Sequence, residues 1–201
     1  MKRLIILFFL TCTVYAQPSE KVILFLGNSL TAAYGVEPEL GFTAHIQKKI
    51  DQAGLLYKVV NAGLSGETTS AGLRRLDWLL KRQIDVLVIE LGGNDGLRGI
   101  MPSLSKDNLQ AMIDKARAAN PNIKILLCGM MAPPNMGETF TKQFRAMYPE
   151  LAKKNNVPLI PFLLEGVADK PELNLPDFIH PNVDGHKIVA ETVWKYLKPL
   201  L

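Results

Sequence analysis

Five short apolar segments alternate with amphipathic helical patterns, and this alternation constrains the fold more than any other feature of the sequence. The apolar segments cover residues 22–26, 57–61, 86–91, 124–129 and 159–162. Their length and continuous hydrophobicity are typical of strands that are buried on both faces. Helical patterns occupy residues 41–52, 71–82, 106–119, 140–154 and 184–197. Strands that alternate with helices predict an α/β fold in which helices cover both faces of a parallel sheet.

The helix predicted over residues 106–119 carries Leu109, Met112 and Ile113 on one face. Ser105 precedes this pattern and is the predicted N-cap, because a serine hydroxyl can accept a hydrogen bond from a free N–H of the first turn. No linker-like or repetitive segment divides the chain, and 48% of its 201 residues are hydrophobic. This composition predicts one compact domain with a full core.

The first 16 residues differ from the rest and have the pattern of a secretory signal. Lys2 and Arg3 precede an apolar run over residues 4–10, and cleavage is expected after Ala16. The alternatives are an N-terminal anchor or a buried strand, but the run is shorter than the roughly 20 apolar residues of a spanning helix. We therefore expect an exported protein, periplasmic or secreted, whose mature domain covers residues 17–201.

Cleavage would change the charge and the cysteine content of the chain. A lipoprotein signal through Cys12 is disfavoured, because Thr11 stands where glycine, alanine or serine is expected. The formal net charge of +4 falls to +2 without Lys2 and Arg3. No cluster of basic residues suggests a nucleic-acid partner. Cys128 would remain alone, so the mature chain is not expected to form an internal disulfide.

The polar loops of the chain follow its predicted strands. Residues 27–29, 62–69 and 92–95 come directly after the first three strands, and residues 176–182 lie between the fifth strand and the last helix. Ligands of open α/β sheets bind beyond the carboxyl ends of the strands. The four loops are therefore predicted to meet at one end of the sheet and to form the functional site.

These loops carry the residue types that nucleophilic catalysis by serine requires. Ser29 lies at a predicted sharp transition from strand to helix, and His180 is the best candidate for the base that takes its proton. Asp177 precedes His180 by three residues, a spacing that brings a carboxylate beside the imidazole in a tight turn. Asn94 and the backbone N–H of Gly66 can donate hydrogen bonds to an oxyanion.

Other chemistries match the sequence less well. The lipase elbow Gly-x-Ser-x-Gly is absent, and Ser65 is only a weak rival nucleophile because the glycine after it comes one position early. His45 and His186 fall within helical patterns and are expected to be surface or packing residues. A metal site formed by Asp177, His180, Asp184 and His186 is conceivable but matches no familiar ligand spacing.

The same loops resemble those of the SGNH (GDSL) hydrolases, and the resemblance extends from about Val22 to Leu197. Within that family the chain is most similar to the bacterial exported thioesterase, arylesterase and lysophospholipase group. The matching residues, in chain order, are Gly27-Asn28-Ser29-Leu30, Gly66, Gly93-Asn94-Asp95, Asp177 and His180.

The resemblance implies a flavodoxin-like, three-layer α/β/α fold with a five-stranded parallel sheet. It implies that Ser29 is the nucleophile, His180 the base and Asp177 its orienting acid. The N–H groups of Ser29 and Gly66 and the side chain of Asn94 would form the oxyanion hole, and no metal or organic cofactor is implied. The implied reaction is hydrolysis of carboxylic esters or thioesters, with acyl, aryl or lysophospholipid substrates.

One residue departs from the family pattern, and the substrate stays open. The family usually has aspartate before the serine, where this chain has Asn28.

Met131, Pro134 and Met136 follow the fourth strand and are candidates for lining an acyl groove, although packing of the loop would explain them equally well. The functional alternatives are a carbohydrate acetyl esterase and an inactive flavodoxin-like binding module.

Overall fold

The computed structural model describes residues 19–201 as a five-stranded parallel sheet between two layers of helices. The strands are β1 (Lys21–Gly27), β2 (Tyr57–Gly63), β3 (Val86–Glu90), β4 (Lys124–Cys128) and β5 (Leu159–Ile160), in the spatial order β2-β1-β3-β4-β5. This is the flavodoxin-like strand order, so the predicted fold is confirmed. The predicted secretory signal lies outside the described residues.

Six α-helices flank the sheet within residues 19–201. They are α1 (Phe42–Gln52), α2 (Thr69–Leu79), α3 (Gly93–Leu97), α4 (Pro102–Ala119), α5 (Glu138–Asn155) and α6 (Val183–Leu197). Helix α1 packs against α6, while α2, α4 and α5 pack side by side, which gives the two outer layers. None of the helices in this part of the chain has the length and apolar character needed to cross a membrane.

The buried strands explain why the sheet forms. Every side chain of β3 is buried, as are the last five residues of β1, because helices cover both faces. Strand β1 pairs with β2 on one side and with β3 on the other, so the loops after all three strands emerge side by side. The sheet thus places the loop of Ser29 between the loops of Gly66 and Asn94.

Two local predictions were wrong. Ser105 is not an N-cap: α4 begins at Pro102, and the fully buried hydroxyl of Ser105 donates a hydrogen bond to Asp95. Proline suits the first turn of a helix because its missing N–H is not needed there. The segment after Ser29 is not a helix either, since residues 29–35 form successive turns and α1 begins only at Phe42.

Candidate active site

Ser29, His180 and Asp177 form one continuous chain of hydrogen-bonded side chains. The Oγ atom of Ser29 lies 2.8 Å from Nε2 of His180. The other ring nitrogen of His180, Nδ1, lies 2.7 Å from Oδ2 of Asp177. These distances link a hydroxyl, an imidazole and a carboxylate in the order that a serine nucleophile, its base and an orienting acid require. The ring of Tyr34 covers one side of the imidazole, with ring centroids 4.6 Å apart.

A tight turn holds Asp177 in this position. Its second oxygen, Oδ1, accepts hydrogen bonds from the backbone N–H groups of Ile179 at 2.9 Å and His180 at 3.0 Å. Desolvation opposes the charged carboxylate, but these two backbone bonds and the contact with His180 lower the pKa of Asp177 to about 2. Asp177 therefore stays ionised at neutral pH. Within this turn Phe178 has a positive φ of 58°, which is uncommon for a bulky residue.

Three candidate oxyanion donors lie on the loops that follow the neighbouring strands β1, β2 and β3, and two of them, Ser29 and Asn94, line the same cleft. Among the described residues, neither the N–H of Ser29 nor that of Gly66 has a hydrogen-bond acceptor. The Nδ2 group of Asn94 donates to the carbonyl of Glu67 at 3.0 Å, which ties the β3 loop to the β2 loop and leaves its second hydrogen available. Gly66 has a φ of 79°, which favours glycine. This arrangement suits stabilisation of an oxyanion.

A buried carboxylate underlies the nucleophile turn. Glu90, at the end of β3, is fully buried and accepts hydrogen bonds from the backbone N–H of Asn28 at 3.0 Å and its Nδ2 group at 2.8 Å. The backbone N–H and hydroxyl of Thr31 donate to the same carboxylate, at 3.3 Å and 2.7 Å. Burial raises the pKa of Glu90 to about 7, although these four hydrogen bonds favour the ionised form.

The Ser29 hydroxyl opens into a cleft of about 430 Å³. Met131 and Pro134 line this cleft together with Leu97, Phe178 and Ile179. All three of these additional apolar side chains are exposed at the rim. Met136 does not line the cleft: it lies in a neighbouring hollow, where its methyl group packs against Gly99.

The weaker candidates Ser65 and His186 are not part of the hydrogen-bonded chain formed by Ser29, His180 and Asp177. Ser65 sits on the exposed loop after β2, while His180 contacts Ser29 instead. His186 is buried and stacks on Phe42, and burial lowers its pKa to about 4, so it is a neutral packing residue. Across residues 19–201, no three histidine, cysteine, aspartate or glutamate side chains are grouped so that they could hold a metal ion.

Glu90 and Tyr34 were not among the site residues predicted from the sequence. The signal for Glu90 was present, because a single acidic residue at the end of an otherwise apolar strand must find hydrogen-bond partners when it is buried. Tyr34 gave no such signal, since its position over His180 depends on the path of the turns that follow Ser29.

Comparison with known proteins places residues 25–188 in one family model, that of the GDSL-like lipases and acylhydrolases. The chain is 41% identical over 186 residues to esterase TesA of Pseudomonas aeruginosa, covering 92% of each protein. It is 38% identical over 194 residues to thioesterase 1/protease 1/lysophospholipase L1 of Escherichia coli, covering 96% of this chain and 91% of the relative.

The fold agrees with these sequence matches. The crystal structure of the psychrotrophic esterase EstA from a Pseudoalteromonas species, inhibited by monoethylphosphonate, is 34% identical and superimposes with a TM-score of 0.84. The match covers 89% of this chain and 97% of that structure. Family, relatives and structural neighbour therefore all point to enzymes that hydrolyse esters.

Proposed function

Because this chain belongs to the GDSL-like lipase and acylhydrolase family and is a serine ester hydrolase, we propose that Ser29, His180 and Asp177 are its catalytic triad. The observation that carries this proposal is the 2.8 Å contact between the Ser29 hydroxyl and the imidazole of His180, which Asp177 orients from the other side. The alternative of an inactive binding module is set aside, since it accounts neither for this linked geometry nor for the family.

The proposed reaction is a two-step acyl transfer. Ser29 attacks the substrate carbonyl while His180 takes the hydroxyl proton, and the new C–O bond forms an oxyanionic tetrahedral intermediate. The intermediate collapses as the leaving alcohol or thiol accepts that proton from His180. Water then attacks the acyl-enzyme by the same route, His180 again relays the proton, and the carboxylic acid leaves with Ser29 restored.

The free N–H groups of Ser29 and Gly66, with the Asn94 amide, are proposed to bind the oxyanion. In support of this proposal, the three donors lie on loops that follow three neighbouring strands. Donors that are fixed in place need little reorganisation when charge develops. Asn94 also donates to the carbonyl of Glu67. It therefore supplies a donor itself and holds the loop that carries Gly66.

We expect Asn94→Ala to lower kcat by about a hundredfold or more, as loss of one oxyanion donor does in other serine hydrolases. KM should change much less, because the charge is present only in the transition state and the intermediate. Steady-state kinetics on a p-nitrophenyl ester would measure both constants. Asn108→Ala is a control, since Asn108 also donates from an amide, to Thr69, outside the site. A kcat near that of the unaltered enzyme would exclude Asn94 from the oxyanion hole.

We propose acyl or aryl esters, thioesters and lysophospholipids as the substrates. Esterase, thioesterase and lysophospholipase activities are named for the relatives, and the cleft beside Ser29 is lined mainly by apolar side chains. Such a lining suits a hydrocarbon chain or ring better than an acetylated sugar, whose hydroxyl groups need hydrogen-bond partners. Comparison of hydrolysis rates for acetylated sugars and medium-chain esters would separate the two substrate classes.

Replacement of Met131 by aspartate should lower kcat/KM for long acyl chains by at least about tenfold and leave acetyl esters nearly unchanged. The physical reason is that a charged group cannot be desolvated cheaply beside a hydrocarbon chain. A chain-length series of p-nitrophenyl esters would measure the effect. Met136→Asp is the matched control, because Met136 lies outside the cleft. Equal losses at all chain lengths would contradict a role for Met131 in acyl binding.

We also propose that residues 1–16 direct export and are removed after Ala16, so that the mature enzyme begins at Gln17. Mass spectrometry of the protein recovered from outside the cytoplasm would measure the new N-terminus. An intact Met1 on that protein would contradict cleavage.

A further inference from the structure

We propose that Glu90 is a positioning residue for the reaction, and that it works as a matched pair with the side-chain amide of Asn28. This inference rests on the proposed function, because it assigns to Glu90 the placement of Ser29 and of the free Ser29 N–H. Glu90 contacts neither Ser29 nor His180 directly in the hydrogen-bond network of the described residues. Its effect on catalysis would therefore pass through the turn that carries Ser29.

The contacts of Glu90 converge on that turn. Its Oε2 atom accepts from the backbone N–H of Asn28 and from both the N–H and the hydroxyl of Thr31, so one oxygen spans both sides of Ser29. A Cβ atom on Gly27 would lie 2.6 Å from this oxygen, so the close approach of strand end and carboxylate requires glycine at this position. The turn is thus built around the carboxylate.

The second oxygen of Glu90 fixes the orientation of Asn28. Oε1 accepts from Nδ2 of Asn28 at 2.8 Å, and this places the amide oxygen of Asn28 on the opposite side. That oxygen accepts from the N–H of Leu30 at 2.9 Å and lies 3.4 Å from the Ser29 hydroxyl. Rotating the amide would turn its NH₂ group toward the N–H of Leu30, so the contacts select one orientation.

This pairing requires that one of the two side chains donate a hydrogen bond and that the other accept it. It does not require that the charge lie on Glu90. Both Glu90 and Asn28 are almost fully buried, so a mismatch cannot be repaired by solvent. In Glu90→Gln, the new NH₂ group would face that of Asn28. In the double variant Asn28→Asp with Glu90→Gln, the amide and the carboxylate exchange places. The introduced glutamine would keep its oxygen toward Thr31 and donate its NH₂ group to the introduced aspartate, so every contact is restored.

The test is the kinetics of Glu90→Gln and of this double variant, with active sites counted by a fluorophosphonate probe. We expect Glu90→Gln to lower kcat per active site by about tenfold to a hundredfold, because a buried NH₂ group would be left without an acceptor. KM should change by less than about threefold. The double variant should return kcat to within about threefold of the unaltered enzyme. Asn28→Asp alone is measured as the reference for aspartate at that position.

Each other outcome overturns the proposal. An unchanged kcat in Glu90→Gln, a loss that appears only as fewer active sites, or a double variant no better than Glu90→Gln would each contradict positioning by the pair. If Glu90→Gln does not fold, Thr31→Val decides, because it removes only the hydroxyl donor to Oε2. It should lower kcat by at least about threefold without changing KM, and an unchanged kcat would contradict the proposal. Failure of the probe to label Ser29 of the unaltered enzyme would instead disprove the proposed function.

Discussion

Replacement of Ser29 by alanine should abolish ester hydrolysis and leave the protein folded. In a serine protease, loss of the nucleophile lowers kcat by about a million-fold, and we expect a loss of at least about a thousandfold here. Within residues 19–201, the Ser29 hydroxyl forms hydrogen bonds only with His180 and, at 3.4 Å, with the side chain of Asn28. The backbone bonds that hold the turn, such as that from Ala32 to the carbonyl of Asn28, do not involve it. The temperature of thermal unfolding should therefore change by only a few degrees.

Ser65→Ala provides the matched control for this experiment. Ser65 is a second serine at the same end of the sheet, but it is exposed and lies on the Gly66 loop. We expect it to keep nearly full activity and fluorophosphonate labelling, whereas Ser29→Ala should lose both. A fully active Ser29→Ala with an inactive Ser65→Ala would reverse the assignment of the nucleophile.

The fold could be read from the sequence because its strands are nearly fully buried. Continuous apolar runs such as residues 86–91 identify strands in a covered sheet, and the observed β3 (Val86–Glu90) ends within one residue of the prediction. Local capping was harder to predict. Ser105 is adjacent to a helical pattern and has the chemistry of an N-cap, but Asp95, ten residues earlier, provides a buried acceptor that the sequence does not reveal. The buried hydrogen bond to Asp95 therefore outweighs the local preference of serine for an N-cap position.

The candidate site was predictable to a different extent for each residue. Ser29, Asp177 and His180 were identified because each stands in a polar loop after a strand, and the topology of a parallel sheet brings such loops together. Met136 lies outside the cleft because Pro134–Met136 forms a 3₁₀ turn, in which successive side chains point in different directions, and the order of residues alone does not show this. Glu90 is the last residue of an apolar strand, so the sequence pattern assigns it to that strand and not to the loops that it supports.

Replacement of Asp177 by asparagine should lower kcat by at least about a hundredfold, because it would reverse the hydrogen bond that orients the base. Asparagine keeps an oxygen for the N–H groups of Ile179 and His180, so the turn should persist. Its NH₂ group would then face Nδ1 of His180 and favour the tautomer whose proton lies on Nε2. That nitrogen faces the Ser29 hydroxyl and could no longer accept its proton. The corresponding change in a serine protease with a buried aspartate costs about ten-thousandfold, and the partial exposure of Asp177 makes a smaller loss reasonable here.

Asp177→Ala separates the tautomer from the simple loss of charge. Alanine leaves space for water, which lets the imidazole adopt either tautomer, so we expect this variant to be more active than Asp177→Asn. Asp184→Asn is the control for removing an exposed carboxylate, since Asp184 pairs with Lys187 outside the site. Rates for all variants would be measured on one ester from about pH 5 to pH 8.

The low pKa of Asp177 keeps its carboxylate ionised over the whole pH range of this comparison. Because its folded pKa is lowered from 3.8 to about 2, its favourable interactions are complete above about pH 4 and are lost only as the pH falls toward 2. The rate of the unaltered enzyme relative to Asp177→Ala should therefore reflect an ionised Asp177 throughout the measured range.

An Asp177→Asn enzyme with a kcat within about threefold of the unaltered one would show that the carboxylate does not set the tautomer of His180. Asp177→Asn activity above that of Asp177→Ala would show that the turn, rather than the charge, is what His180 requires.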